Sequence, residues 1–277
     1  MRVFVTGATG YIGKEVVKYL NNKGHKVIMF SKSLGYDITN TSHIKKTIKN
    51  SDVVIHLAAL KKYSGDYKKI KNINVNGTYN ILKVAEEEGI ERVIYISSVA
   101  VTEKTETLYS KSKKEAEKIA FDFQKNIKIP ILRIAPVYDE NRLKLIKKFK
   151  ILPIIKDLNL HLVYLKKVVE AIYLSIFHGN SEIYYVADKN SFLFQNLANT
   201  LKDKYKIIYF TKKDIELIKK IFALIKNLSN FINIEPPITQ ETISAFFEDR
   251  NYNIQKTIKD LKYEPVDTIE IFKKILL

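Results

Sequence analysis

The sequence contains no cysteine, which excludes disulfides, thiolate metal sites and cysteine nucleophiles and agrees with a cytoplasmic setting. No apolar run approaches the roughly eighteen residues needed to span a membrane. Met1 is followed at once by the strand-like residues 2–7, RVFVTG, which leaves no room for a charged and apolar leader. A soluble, unprocessed, cytoplasmic chain is therefore expected. Internal repeats, Gly/Ser linkers and low-complexity tracts are also missing, so any two parts should pack directly on each other. Acidic residues are in deficit, with 30 Asp and Glu against 47 Lys and Arg, and the net charge is +17. Such a charge attracts polyanions, anionic membrane surfaces or phosphorylated small molecules. The lysines are scattered through the chain and no aromatic-interleaved basic motif accompanies them, so specific nucleic-acid binding is not expected. Weak, salt-sensitive association with polyanions or a membrane surface remains compatible with the composition.

What is present is an alternation. Val3 to Val5 reads as a short apolar strand, followed by a glycine turn and a helix over residues 11–22 with apolar Ile12, Val16, Val17 and Leu20. Strands are expected at residues 25–30, 53–59, 92–98 and 127–135, with helices between them, one over residues 67–88. This order predicts an α/β fold, a Rossmann-like doubly wound parallel sheet covered on both faces. Past Pro136 the alternation loosens into helices near residues 141–150, 164–177, 192 and 215. The chain is accordingly divided into a nucleotide-binding domain, residues 1–136, and a small mixed α/β substrate lobe, residues 137–277, with strand exchange between them allowed.

In TGATGYIG, Gly7, Gly10 and Gly13 follow a strand and open a helix. Glycine there lets the backbone approach a diphosphate, and the helix start offers unpaired amides and a positive dipole end. Tyr11 and Ile12 belong to the same turn. NAD-preferring sites carry an acid at the end of the second strand, roughly 20 residues on. This chain has Phe30, Ser31, Lys32 and Ser33 instead, and the hydroxyl and ammonium of Ser31 and Lys32 favour the 2′-phosphate of NADP over NAD.

Tyr109 and Lys113 stand four residues apart in YSKSKKEAE and share a helix face. A phenol with an ordinary pKa of about 10 becomes useful near neutral pH when an adjacent ammonium favours its phenolate. Ser97 and Ser98 end the fourth strand, the edge where open α/β sheets bind ligands.

Taken together these motifs resemble the extended short-chain dehydrogenase/reductase family, the NAD-dependent epimerase/dehydratase and UDP-glucose 4-epimerase-like group. Asp37-Ile38 matches its adenine-contacting pair, residues 52–59 its cofactor-flanking strand with Leu57, Ala58 and Ala59, and NVNGT, from Asn74, its structural asparagine motif. The resemblance implies that Ser98, Tyr109 and Lys113 are catalytic and that NAD(P) is the cofactor. It also implies that Tyr109 and Lys113 touch the nicotinamide side, that Ser97 is structural, and that Glu117 is a helix-surface residue. AALKK resembles the cofactor loop of UDP-galactose 4-epimerases, which would bring Lys61 to the nicotinamide. A homodimer and an anionic small-molecule substrate follow from the same resemblance; no metal site is expected. His56, on an apolar strand, is expected as a satisfied core residue, and Asp37 could instead cap the helix near Thr41.

The pattern departs from the family behind the catalytic helix. Only ten residues separate Ser98 from Tyr109, Asp139 stands where a glycine is expected, Lys167 where an aspartate is usual, and Leu160 in the place of an arginine that often holds a sugar diphosphate. Residues 214–232 form an amphipathic helix with Ile215, Ile218, Ile221, Phe222, Ile225 and Leu228 spaced for one face, expected to pack against the lobe or to meet an apolar substrate or membrane. Three readings follow: an epimerase or oxidoreductase of nucleotide sugars, a 3β-hydroxysteroid dehydrogenase-like reductase of a lipid or isoprenoid carbonyl, and a non-catalytic dinucleotide sensor or basic scaffold.

Overall fold

The structure, a computed structural model, describes residues 1–61, 65–148, 151–231, 243–244 and 247–277, with side chains of residues 223–231 outside that description. A six-stranded sheet lies at its centre, built from β1 (Arg2–Thr6), β2 (Lys26–Phe30), β3 (Val53–His56), β4 (Val93–Ser98), β5 (Ile131–Ile134) and one later strand, Ile183–Val186. Its order is β2-β1-β3-β4-β5 with Ile183–Val186 at the far edge, and all neighbours are parallel. Parallel strands are covered on both faces, which is why they read as continuous apolar runs: β3 is buried at every position. β1 pairs with β2 on one side and β3 on the other, so the chain reverses direction across the sheet there and leaves a crevice at the C-terminal strand ends.

Helix α1 (Gly13–Asn22) buries Val16, Val17 and Leu20 against one sheet face, beside the later helix Leu165–Phe177. The opposite face carries α2 (Thr41–Ile48), α3 (Tyr67–Lys71), α4 (Gly77–Glu87) and α5 (Leu108–Phe123). The helix expected over residues 67–88 is interrupted by a π-turn, Asn72–Asn76, between α3 and α4. α5 begins with a capping box in which Thr107 and Ser110 satisfy each other's backbone N–H groups.

The rest of the chain adds β6 (Val137–Tyr138), α6 (Glu140–Lys147), β7 (Ile151–Ile155), β8 (Asn159–Leu160), β9 (Val163–Tyr164), α7 (Leu165–Phe177), β10 (Ile183–Val186), β11 (Phe192–Leu193), α8 (Phe194–Leu201), β12 (Lys206–Phe210), α9 (Lys212–Phe231), α10 (Gln255–Leu261) and α11 (Thr268–Leu276). Of these, α7 and β10 belong to the central sheet layer. The rest make three two-stranded pairs, β6 with β9, β7 with β12 and β8 with β11. Asp188 ties the β6–β9 pair to Thr268. Fully buried, it accepts hydrogen bonds from Tyr138 Oη at 2.8 Å, Thr268 Oγ1 at 2.6 Å and Tyr164 N at 3.0 Å, while burial raises its carboxyl to about 6 against those three donors.

In α9, Ile215 is buried, and Ile218 and Phe222 lean on the same cluster with Ile155 and Leu158. Ile221 does not share that face and is 47% exposed, because it lies a full side of the helix away from Ile215. Ile225, Leu228 and Ile232 lie outside the described side chains.

Candidate active site

The glycine turn closes on itself through Gly10 N–H donating to Gly7 O at 2.9 Å. Gly7 has φ +66°, and a side chain there would meet the backbone N of Ala58 at 2.8 Å. A Cβ on Gly13 would lie 2.1 Å from Gly7 O. The start of α1 has no side-chain cap, and its amides from Lys14 and Val16 donate to Gly10 O and Ile12 O, both at 3.0 Å. Bare glycine backbone at the switch point, leading straight into a helix, fits a dinucleotide diphosphate.

The residues after β2 fold against the glycine turn. Thr9 Oγ1 of the glycine turn lies 2.7 Å from both Ser31 Oγ and Ser33 Oγ, with the exposed Lys32 between the two serines. Thr9 was not visible as a site residue in the sequence, since nothing there shows that the turn folds back on residues 31–33. Asp37 accepts from Thr39 N and Thr39 Oγ1, both at 2.8 Å, and these bonds hold its carboxyl below the ordinary range. The cap of α2 is Asn40 instead. Ile38 is buried and would collide with any side chain on Gly77.

Beyond β3, Leu57 and Ala58 are half-buried while Ala59 and Lys61 are exposed along the strand's outgoing loop; Lys62 lies outside the described residues. This loop is held by Asn74, which is 1% exposed. Its Oδ1 accepts from Leu60 N at 2.7 Å, and its Nδ2 donates to Leu60 O at 3.0 Å and Ser112 Oγ at 2.8 Å. Ser112 in turn donates to Tyr109 O at 2.7 Å. One side chain thus ties the loop after β3 to the first turn of α5. The π-turn that presents Asn74 is the irregularity that makes this reach available.

His56 is buried, donating through Nε2 to Thr78 Oγ1 at 2.9 Å and accepting at Nδ1 from Thr6 Oγ1 at 2.7 Å. The direction follows from Thr78, whose own proton goes to Asn74 O at 2.6 Å. Burial, with Lys113 adding to it, drives the imidazole down to about 3, so it stays neutral as a satisfied core residue.

Ser98 ends β4, half-buried, and its Oγ accepts from Ala100 N at 3.2 Å. Tyr109 is half-buried in the first turn of α5, and Lys113 follows one turn later with 3% exposure. Lys113 Nζ donates to Ile96 O at 2.7 Å and sits 4.2 Å above the ring of Tyr95. Burial lowers it to about 7, with Glu117 pulling the other way. The chain therefore holds an amine near its midpoint at neutral pH, on the same helix face as the phenol.

Glu117 is not a surface residue. It is 3% exposed and accepts from Ser97 Oγ at 2.5 Å and from Arg133 Nε and Nη2 at 3.0 and 2.6 Å. The polar face of α5 is turned inward here because Arg133, from the interior strand β5, needs a carboxylate. Arg133 also donates to Tyr185 Oη at 2.9 Å.

Tyr185 leads to a cavity of about 650 Å³ between the turn that follows Ser98 and residues of β7, α9 and the segment 247–253. Tyr185 and Tyr252 stack at 5.6 Å between ring centroids, and Ile155, Leu158, Ile215 and Phe247 supply apolar wall. The cavity does not share the chain's net charge, for Glu103, Glu216, Glu248 and Asp249 face Lys104, Lys212 and Lys219. Each acid is engaged: Glu103 by Arg250 at 2.7 Å, Glu216 by Lys219 at 2.6 Å, Asp249 by Lys212 at 2.8 Å and Glu248 by Thr105 N at 2.6 Å. Leu160, in β8, adds no cation.

A family model described as the NAD dependent epimerase/dehydratase family matches residues 3–144, a stretch that carries the glycine turn, Ser98, Tyr109 and Lys113. The chain belongs to that family. Among curated relatives, it is 27% identical to a 2-alkyl-3-oxoalkanoate reductase of Stenotrophomonas maltophilia over 114 residues, 37% of this chain and 34% of that protein. It is 29% identical to a UDP-glucose 4-epimerase of Vibrio cholerae over 169 residues, 49% of this chain and 52% of the relative. These matches thus span between a third and about half of the relatives' length. A UDP-glucose 4-epimerase of Thermotoga maritima, solved with UDP-glucose, superposes with a TM-score of 0.75 at 18% identity, covering 100% of this chain and 97% of the other. The likeness in fold thus runs beyond residues 3–144, over the length of the chain.

Proposed function

We propose that this chain is an NAD(P)-dependent epimerase or oxidoreductase that transfers hydride and proton at a carbinol or carbonyl carbon of a nucleotide sugar. The observation that carries the reading is Lys113, a buried amine lowered to about 7, placed one helical turn from Tyr109 at the C-terminal end of β4. Bound nicotinamide supplies the hydride acceptor or donor. Tyr109 gives or takes the proton of the substrate oxygen, Lys113 favours the phenolate by its charge, and Ser98 orients the same oxygen by hydrogen bonding. Gly7, Gly10, Tyr11, Ile12 and Gly13 hold the diphosphate, Asp37 and Ile38 flank the adenine, and residues 57–61 line the nicotinamide half. The hydroxyls of Thr9, Ser31 and Ser33, together with Lys32 and the lack of an acid after β2, favour NADP.

Tyr109→Phe should abolish turnover while cofactor affinity stays within about twofold of wild type, since only the proton carrier is lost. Unchanged turnover would refute the assignment. UDP- or dTDP-sugars should raise the melting temperature of the cofactor complex.

A second reading, reduction of a carbonyl on a lipid or isoprenoid-like molecule, is favoured by the cavity. Its stacked tyrosines and aliphatic wall suit an apolar body, and each of its acids already accepts a hydrogen bond within the protein. NADPH consumed mole for mole with product supports this reading; catalytic retention of NAD without net redox supports the epimerase.

A further inference from the structure

We infer that Asp139 and Arg142 are positioning residues of the cofactor site, holding the phosphate-binding turn through Tyr11 and setting a guanidinium beside it. The inference rests on the reading of the glycine turn as a dinucleotide site and adds two residues from the start of α6. Tyr11 lies between Gly10 and Gly13, in the last residues before α1. Its phenol donates to Asp139 Oδ2 at 2.5 Å, a contact between residues 128 positions apart. Burial and the Asp139 carboxylate together push the phenol well above its ordinary range, so it remains a donor at any physiological pH.

Asp139 uses its second oxygen to cap α6, accepting from Arg142 N at 2.7 Å. The cap turns the start of α6 so that the Arg142 guanidinium lies 4.0 Å over the Tyr11 ring, while its Nη1 donates to Val137 O at 3.1 Å. A cation over an aromatic face and a charge-assisted bond to the same ring's hydroxyl fix Tyr11 from two sides. The backbone of Tyr11 is part of the anion-binding turn, so fixing its side chain fixes the turn. A glycine at position 139, the residue expected there from the family pattern, could do neither task. The rest of α6 contributes little to this docking: Leu143 is its one buried residue and Leu145 is 55% exposed.

The test compares two probes on the full chain by calorimetry, AMP and ADP-ribose, which share the adenosine end and differ in the diphosphate. Arg142→Gln should weaken ADP-ribose at least about tenfold and AMP by less than about twofold. Arg142→Lys, which keeps the charge without the planar fork, should fall between. Tyr11→Phe and Asp139→Asn should each weaken ADP-ribose, and the double variant should lose no more than the weaker-binding single variant, because the two act as one unit. A purely structural role would weaken both probes in parallel; parallel losses, or no loss in Arg142→Gln, overturn the inference. If the wild type binds neither NAD(P)H nor ADP-ribose, the dinucleotide reading itself falls and the inference falls with it.

Discussion

Replacing Lys113 by Met separates stability from activity in a way the geometry makes quantitative. An ordinary lysine titrates near 10.5, whereas burial brings Lys113 to about 7. The unfolded chain therefore holds this proton more tightly than the folded one. Below about pH 7 folding carries the full cost of a buried ammonium, and the cost fades as pH rises towards 10.5. At about 1.4 kcal/mol per pH unit, the gap sets an upper bound of about 5 kcal/mol. Losing the charged donor to Ile96 O removes about 1.5 to 3 kcal/mol of any gain, while the unbranched Met occupies nearly the same space. The Met variant should thus be about 1 to 3 kcal/mol more stable than wild type at pH 6.5, with the difference vanishing or reversing by pH 9.5. Urea denaturation of the cofactor-free proteins at pH 6.5, 8 and 9.5 measures it, alongside loss of turnover. Groups that could distort the profile are Tyr109 and Glu117 on the same helix, Tyr95 from β4 and His56 from β3. Equal stabilities at all three pH values would show that Lys113 is not desolvated as its 3% exposure implies.

Gly13→Ala should cost at least about 3 kcal/mol and abolish NAD(P)H binding, because the new methyl meets backbone at 2.1 Å and cannot be accommodated by a side-chain shift; thermal melting and cofactor fluorescence read the two effects. Glu117→Gln should destabilise the apo protein by about 2 to 3 kcal/mol, since Arg133, 14% exposed, is left largely desolvated without its anion, and chemical denaturation checks it. Asp188, raised to about 6 from 3.8, binds its proton more tightly folded than unfolded, so wild type should lose stability relative to Asp188→Asn as pH rises from about 4 to about 6 and hold level above that.

The central sheet was legible because its strands are buried on both faces and show as apolar runs, and the glycine turn because its backbone permits little else. The helix pair Tyr109 and Lys113 was legible as a spacing. Sequence periodicity could not show which way α5 faces at its inner end: Glu117 looks like a surface residue until Arg133 on β5 is seen to require it. Thr9 was hidden for a similar reason, since its partners Ser31 and Ser33 are about two dozen positions away and meet it only once β1 and β2 pair. Ile221 was placed on the wrong side of α9 because six apolar residues in the segment exceed one helical face. The cavity's balanced charge was likewise invisible, for it arises from pairings between segments as distant as Glu103 and Arg250.

β10 carries a consequence for how such a chain can be assembled. Between the end of β5 and the start of β10 the polypeptide leaves the sheet, lays down β6 to β9 and α7, and returns to complete the outer edge. The last rung of the sheet thus closes only after this long excursion, which places a slow, non-local pairing late in folding. Until then β5 is an open edge with its hydrogen-bonding groups exposed, and α7 has not yet covered its half of the core. A fragment ending at Pro136 would retain every residue of the glycine turn and of the Ser98, Tyr109 and Lys113 set and still aggregate through β5, so the nucleotide half should be recoverable in soluble form only with β10 and α7 supplied.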